Sequence, residues 1–127
     1  MVSAVLDASA VMASLNREPG YEQVDKIVGD ACISSVNLAE VVTKLTSGGI
    51  TPPVIEAMLA PLSLIVESFD TQRAMATGLL TAKTSKAGLS LGDRACLSLA
   101  AELGLQAFTS DKAWAKVDAG ANVVVIR

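Results

Sequence analysis

The chain has 127 residues, 51% of them hydrophobic but only 3% aromatic, and its thirteen acidic and ten basic residues leave a net charge of −3. That length fits one domain, residues 1–127, with a core built from Ala, Val, Leu and Ile. The acidic balance, with a pI of about 4.8, excludes a nonspecific nucleic-acid binder held by an overall basic surface, and the absence of histidine excludes any imidazole mechanism.

Residues 2–6 are a short apolar run that reads as a buried strand closed by Asp7. Residues 8–16 read as a helix ended by Pro19-Gly20, and 21–28 as a second helix stopped by Gly29. Residues 31–34 form the second strand. Ser35 is placed to cap a helix running to about residue 46, where Gly48-Gly49 ends it. Thr51-Pro52-Pro53 starts another helix, because proline is tolerated in a first turn, and that helix ends near Pro61. Residues 64–69 are the third strand, and Asp70 caps a long helix to about residue 85. Leu89-Ser90-Leu91-Gly92 leads into a helix ending at Leu103, with Gly104 as its C-terminal stop. Residues 106–109 and 123–126 are the fourth and fifth strands, with a short helix over 112–116 between them. Strands separated by helices predict an α/β fold with a parallel sheet covered on both faces.

Cys32 and Cys96 have no CxxC partner, so neither zinc nor redox chemistry is indicated; buried reduced thiols in a cytoplasmic protein are expected. The N-terminus has no early Lys or Arg and is a poor signal peptide. No apolar stretch approaches the roughly 20 residues that span a bilayer, so no membrane association is expected.

Four acids stand apart: Asp7, Glu40, Asp93 and Asp111. Each has an ordinary explanation. Asp7, Asp70 and Asp111 all precede helices and suit N-caps. Asp93 sits near a helix start, where the dipole favours it. Glu40 on a helix is normally solvated, yet its neighbours Leu38, Ala39, Val41 and Val42 are apolar. Topology separates them. Ligands of open α/β sheets bind beyond the carboxyl ends of the strands, where strand order reverses. If the order is 3-2-1-4-5, Asp7 and Asp111 meet at that point, while Asp70 follows an edge strand and is only a cap. Carboxylates converging without histidine favour Mg²⁺ or Mn²⁺. Spacing removes other uses of an Asp after strand 1. A haloacid-dehalogenase phosphatase needs a second Asp where Ser9 stands, and a response-regulator receiver needs an acidic pair where only Asp7 is present. No GxxxxGK[ST] or GxGxxG occurs.

With its four acids set in the stretches 5–10, 34–41, 89–100 and 109–114, the chain resembles the PIN-domain family, specifically VapC-type toxins of bacterial toxin–antitoxin pairs. Val5-Leu6-Asp7-Ala8-Ser9-Ala10 resembles the first family motif, and Ser34-Ser35-Val36-Asn37-Leu38-Ala39-Glu40-Val41 the second. Leu89-Ser90-Leu91-Gly92-Asp93-Arg94-Ala95-Cys96-Leu97-Ser98-Leu99-Ala100 resembles the third and is the most specific; Thr109-Ser110-Asp111-Lys112-Ala113-Trp114 resembles the last. Four motifs in order and register span nearly the whole chain.

The resemblance implies a PIN-like three-layer α/β/α sandwich with a mainly parallel sheet in the order 3-2-1-4-5. It implies a Mg²⁺- or Mn²⁺-dependent endoribonuclease toxin with Asp7, Glu40, Asp93 and Asp111 as the catalytic and metal-binding acids, and Thr109 as a supporting residue. It also implies neutralisation by a cognate VapB-type antitoxin occupying the groove near the acids, while the apolar excess of the chain makes the helix pair over about 35–61 a natural place for homodimer or antitoxin contact. Hydrolysis by a metal-activated water predicts products with 5′-phosphate and 3′-hydroxyl ends. Arg94 and Lys112 are candidate RNA contacts, within a wider set of Lys44, Lys83, Lys86 and Lys116. One Trp, one Tyr and two Phe are too few for a base-stacking platform, so a structured tRNA or rRNA stem-loop is favoured over a long single strand. Trp114 is expected in the core or at its rim. Mean hydropathy is +0.49, and Ile50, Val54, Met58, Leu59 and Leu62 are candidates for an exposed apolar face for the dimer or antitoxin. The competing functions are a housekeeping PIN nuclease of RNA processing and a catalytically idle PIN-like binding module.

Overall fold

Five short apolar runs pair side by side in the computed structural model, which describes residues 1–127. They are β1 (Ala4–Leu6), β2 (Ala31–Ser34), β3 (Ile65–Glu67), β4 (Gln106–Thr109) and β5 (Val123–Val125). Every pairing is parallel and the order is β3-β2-β1-β4-β5. Parallel neighbours need crossovers, and the helices supply them: α1 (Ala8–Asn16), α2 (Tyr21–Asp25), α3 (Ser35–Ser47), α4 (Pro52–Leu59), α5 (Thr71–Leu79), α6 (Thr81–Thr84) and α7 (Leu91–Leu103).

The central strand explains the layering. Side chains alternate across a strand, so Ala4 and Leu6 join one apolar cluster with Val11, Ile33, Val41 and Phe108, while Val5 joins another with Cys32, Cys96, Leu97 and Trp114. Helices α1 to α4 cover the first face. Helix α7 covers the second, with α5 packed against it. This is the α/β/α sandwich expected from the sequence. Trp114 is completely buried, and both cysteines are free and buried.

The helix signals hold, with three shifts, the first being that the helix expected over 21–28 ends at Asp25 and a 3₁₀ turn follows over Val28–Asp30. Asp7, Asp70 and Asp111 each accept the N-cap hydrogen bond that their position suggests, and Gly104 closes α7 at φ +67°. Ser34, not Ser35, caps α3, while the Ser35 hydroxyl accepts from the Phe69 amide. The long helix expected over 70–85 is interrupted after Leu79, and residues 85–87 form a 3₁₀ turn. Thr77, Gly78, Thr81 and Thr84 are poor helix formers, and the Thr84 hydroxyl bonds back to the Leu80 carbonyl at 3.1 Å.

The expected exposed apolar face is mostly covered: Ile50, Met58, Leu59 and Leu62 pack partly buried against the core, and only Val54 stays exposed. Exposed apolar side chains gather instead at Ile65 and Val66 on the edge strand and at Met75 and Leu79 on α5. No helix is long and apolar enough to cross a membrane.

Candidate functional site: carboxylates at the carboxyl end of the sheet

Asp7 directly follows β1 and Thr109 ends β4; Leu6 pairs with Phe108, which sets the two side by side. The Thr109 hydroxyl donates to Asp7 Oδ2 at 2.6 Å. Asp7 Oδ1 accepts from the Ala10 amide at 2.8 Å, the helix cap, and from the Ser9 hydroxyl at 2.7 Å. Ser9 in turn accepts from the Ser110 amide at 2.9 Å, and Thr109 Oγ1 accepts from the Asp111 amide at 3.1 Å. The two strand ends are thus laced through two hydroxyls, and Asp111 is one hydroxyl away from Asp7.

Glu40 arrives from α3. Its Oε1 accepts from Asn37 Nδ2 at 2.8 Å, and the same amide donates to the Gly92 carbonyl at 3.0 Å. The Glu40 carboxylate lies flat on Gly92: a Cβ there would run into it. Gly92 is therefore required for close approach rather than for a turn. Asp93 follows at the third position of α7, in a reciprocal capping box with Ser90 (2.9 and 3.1 Å).

Electrostatics locate the cluster. Burial pushes the Asp7 carboxyl up from 3.8 to about 6; the hydrogen bonds from Thr109, Ala10 and Ser9 oppose this, and the charge of Asp93 adds to it. Burial likewise holds the Cys96 thiol well above its usual range, with further upward pushes from Asp7, Asp93 and Glu40 among others. Asp7, Glu40 and Asp93, which come from three parts of the chain, thus each make the same buried thiol harder to ionise. None of the four acids takes part in any of the ion pairs, which involve Arg17, Arg73 and Arg127. No protein cation lies within ion-pair distance of these carboxylates. An all-carboxylate donor set of this kind suits a hard divalent cation. Glu40 Oε2, Asp93 Oδ1 and Asp111 Oδ2 accept no protein hydrogen bond.

As placed, however, no three acidic side chains close into a metal-binding group. Asp93 and Asp111 are each folded back onto their own helix caps, and Asp111 is exposed. Asp70 lies beyond the edge strand β3 and caps α5 through the Arg73 amide, apart from the cluster.

Two clefts flank the acids. One, of about 530 Å³, runs between α3 and the start of α7, with Glu40, Lys44, Leu91 and Gly92 in its wall. The other, of about 400 Å³, lies between the 85–87 and 112–116 turns and is walled by Lys86, Ala87, Ala113 and Lys116. Lys112 is exposed beside Asp111, whereas Arg94 is half-buried and donates to the Thr77 carbonyl at 3.0 Å, a strut between α5 and α7.

Three supporting residues were not singled out from sequence: Ser9, Asn37 and Gly92. Asn37 carried a signal, since it lies three residues before Glu40 on the same helix face. Gly92 carried none, because Glu40 is distant in sequence; Ser9 stands two residues from Asp7, and only its link to Ser110 was hidden.

An all-parallel sandwich with unpaired carboxylates gathered at the carboxyl end of its central strands defines a doubly wound α/β domain of the acid-centred kind. The chain belongs to the PIN-domain family, whose model matches residues 4–120. PIN domains are in general nucleases. The fold is shared with VapBC2 from Rickettsia felis, solved on a DNA fragment from its promoter (TM-score 0.74, 16% identity, 98% of each chain). It is shared too with DNA-bound VapBC from Salmonella typhimurium (TM-score 0.70, 24% identity, 98% of each chain). VapBC-5 from Mycobacterium tuberculosis, of the VapBC family of toxin–antitoxin systems, is a further match (TM-score 0.62, 22% identity, 100% of this chain and 99% of that one). No curated protein sequence matches the chain.

Proposed function

We propose that this PIN domain is a Mg²⁺- or Mn²⁺-dependent endoribonuclease, the VapC-type toxin of a toxin–antitoxin pair. The observation that carries it is a set of carboxylates outside any ion pair: Asp7, joined through the Thr109 hydroxyl to the Asp111 backbone amide, and Glu40, held through Asn37 to Gly92 beside Asp93. A bound divalent cation supplies the water activation and charge stabilisation that a histidine-free chain lacks. Asp7, held by three donors, is the fixed member of the ligand set. Glu40, Asp93 and Asp111 each offer a free oxygen, the last two by turning away from their caps. The attacking group is water rather than the ribose 2′-hydroxyl, so the products carry 5′-phosphate and 3′-hydroxyl ends.

Lys86, Lys112 and Lys116 line the approach to Asp111 and are the proposed contacts for the phosphate backbone of a structured RNA, a tRNA or rRNA stem-loop, with Arg94 contributing its remaining donors. A VapB-type antitoxin is the proposed partner, seated over the acids with a basic side chain among them. A homodimer is part of the same proposal.

The purified protein should cleave RNA with Mn²⁺ or Mg²⁺ and stop with EDTA, and Asp7→Asn and Asp93→Asn should each abolish cleavage. Full metal-dependent cleavage by both variants overturns the site. Induced expression should arrest growth, with rescue by a small protein encoded beside the gene. A housekeeping nuclease would cleave without arrest. The capped state of Asp93 and Asp111 is the one observation favouring an idle binding module, which would do neither.

A further inference from the structure

Asn37 is among the most buried polar residues of the chain, 1% exposed, yet its Oδ1 has no hydrogen-bond partner. Leaving a buried acceptor unpaired costs about 1–3 kcal/mol. Only the other end of the amide is used. Both hydrogens of Nδ2 are engaged, one on Glu40 Oε1 at 2.8 Å and one on the Gly92 carbonyl at 3.0 Å. The chemistry fixes this orientation. Flipping the amide would set its carbonyl oxygen against a carboxylate and a peptide carbonyl, neither of which can donate.

The geometry points to Asn37 as the positioning residue for Glu40. Its amide clamps the Glu40 carboxylate of α3 to the backbone of α7, one residue before Asp93; this rests on the metal-nuclease proposal above. Four observations converge on the clamp. Asn37 lies one helical turn before Glu40, so the two share a face. The amide spans 55 residues of sequence to reach Gly92. Gly92 has no side chain where the carboxylate rests. With Oε1 held by Asn37, Glu40 Oε2 is left free in a fixed place, where a hard cation would take it. Asn37 therefore tolerates an unpaired oxygen for orientation rather than for stability, and partners of this kind typically contribute 10–100-fold in metal affinity.

The test uses the intact chain and compares Asn37→Leu, Asn37→Ala and Glu40→Gln. Leu is close to Asn in shape and lacks both polar ends, so the hydrogen bonds it removes are offset by removal of the stranded Oδ1. The expected result for Asn37→Leu is a metal-free melting temperature within a few degrees of wild type. Its Mn²⁺ affinity, read by calorimetry, should weaken about 10–100-fold, with kcat reduced and KM for RNA unchanged. Wild-type Mn²⁺ affinity in a folded Asn37→Leu overturns the clamp. If the Leu variant does not fold, Asn37→Ala decides by the same readouts. Failure of both to fold, or reduced stability with intact Mn²⁺ affinity, makes Asn37 purely structural and also overturns it. Glu40→Gln isolates the underlying proposal: if it binds Mn²⁺ like wild type, the metal site itself is misplaced.

Discussion

The Thr109 hydroxyl donates to Asp7 Oδ2 at 2.6 Å and accepts from the Asp111 amide at 3.1 Å, so one buried side chain couples the acids of β1 and β4. Its single proton is committed to Asp7, and its lone pair steers the backbone that presents Asp111. Thr109→Val keeps the shape and removes both functions. Stability should fall by about 1.5–3 kcal/mol, the usual loss for a hydrogen bond to a charged group. Mn²⁺-dependent RNA cleavage should fall about 10–100-fold. Thr109→Ser should restore most of both, as read by thermal melting and initial rates.

Asp7 makes the metal-free protein pH-sensitive in a defined direction. Its carboxyl titrates at about 6 in the fold against 3.8 as its ordinary value, first because it is buried. Between those values the folded chain holds a proton that the unfolded chain has released. The stability linked to this group is therefore complete below about pH 4 and is lost as pH rises through about 6, a difference of about 3 kcal/mol. In EDTA, Asp7→Asn should lack this loss and melt higher than wild type at pH 7.5, with the advantage gone near pH 4. Added Mn²⁺ should raise the melting temperature of wild type at pH 7.5 and leave Asp7→Asn unmoved. Parallel melting curves for the two proteins across pH 4–8 would refute the assignment.

Local signals carried most of the fold. Apolar runs of three to six residues marked the strands, and Asp7, Asp70 and Asp111 advertised the helix starts that they cap. The same signals could not rank those acids. Asp7 and Asp70 look alike locally, and only strand order places one beside Thr109 and the other beyond the edge strand. Adjacent serines hid which of Ser34 and Ser35 caps α3, because either hydroxyl suits the cap and the Phe69 amide decides. The positions of Glu40, Asp7, Asp93 and Asp111 were legible as motif acids. Of their supports only Thr109 was named from sequence; the clamp from Asn37 to Gly92 spans 55 residues and the Ser9–Ser110 link 101. Nor did sequence show that Asp93 and Asp111 rest on their own caps, which depends on side-chain rotamers.

Gly92 makes an unusually clean separation of fold from function. The atoms nearest to a Cβ at this position all belong to the end of the Glu40 side chain, which must move for it to fit. Gly92 lies in the first turn of α7, where Ala is favoured over Gly by up to about 1 kcal/mol. Gly92→Ala should therefore fold and melt within a few degrees of wild type, the helix gain offsetting the bond lost from Asn37, while evicting the Glu40 carboxylate from the cluster. Cleavage should fall as far as in Glu40→Gln. The double variant should be no worse than either single one, because both remove the same group. Additive losses would show that Gly92 acts elsewhere.

The lysines test where the substrate lies. The chain has six lysines, none of them in an ion pair. Four of them, Lys83, Lys86, Lys112 and Lys116, sit on α6 and the two turns that meet beside Asp111. On a chain of net charge −3, that local excess is the surface best suited to a phosphate backbone. Lys26 is the internal control, since it lies just before β2, at the opposite end of the sheet. Lys86→Glu with Lys116→Glu should raise KM for RNA about 10-fold or more at low salt. The same pair should flatten the salt dependence of binding by about one unit of slope for each phosphate that is no longer neutralised. Melting temperature and Mn²⁺ affinity should stay at wild-type values, because neither lysine touches the acids. Lys26→Glu should change none of these. An unchanged salt slope in the double variant would move the RNA path to the other cleft, beside Lys44, where Lys44→Glu would then raise KM instead.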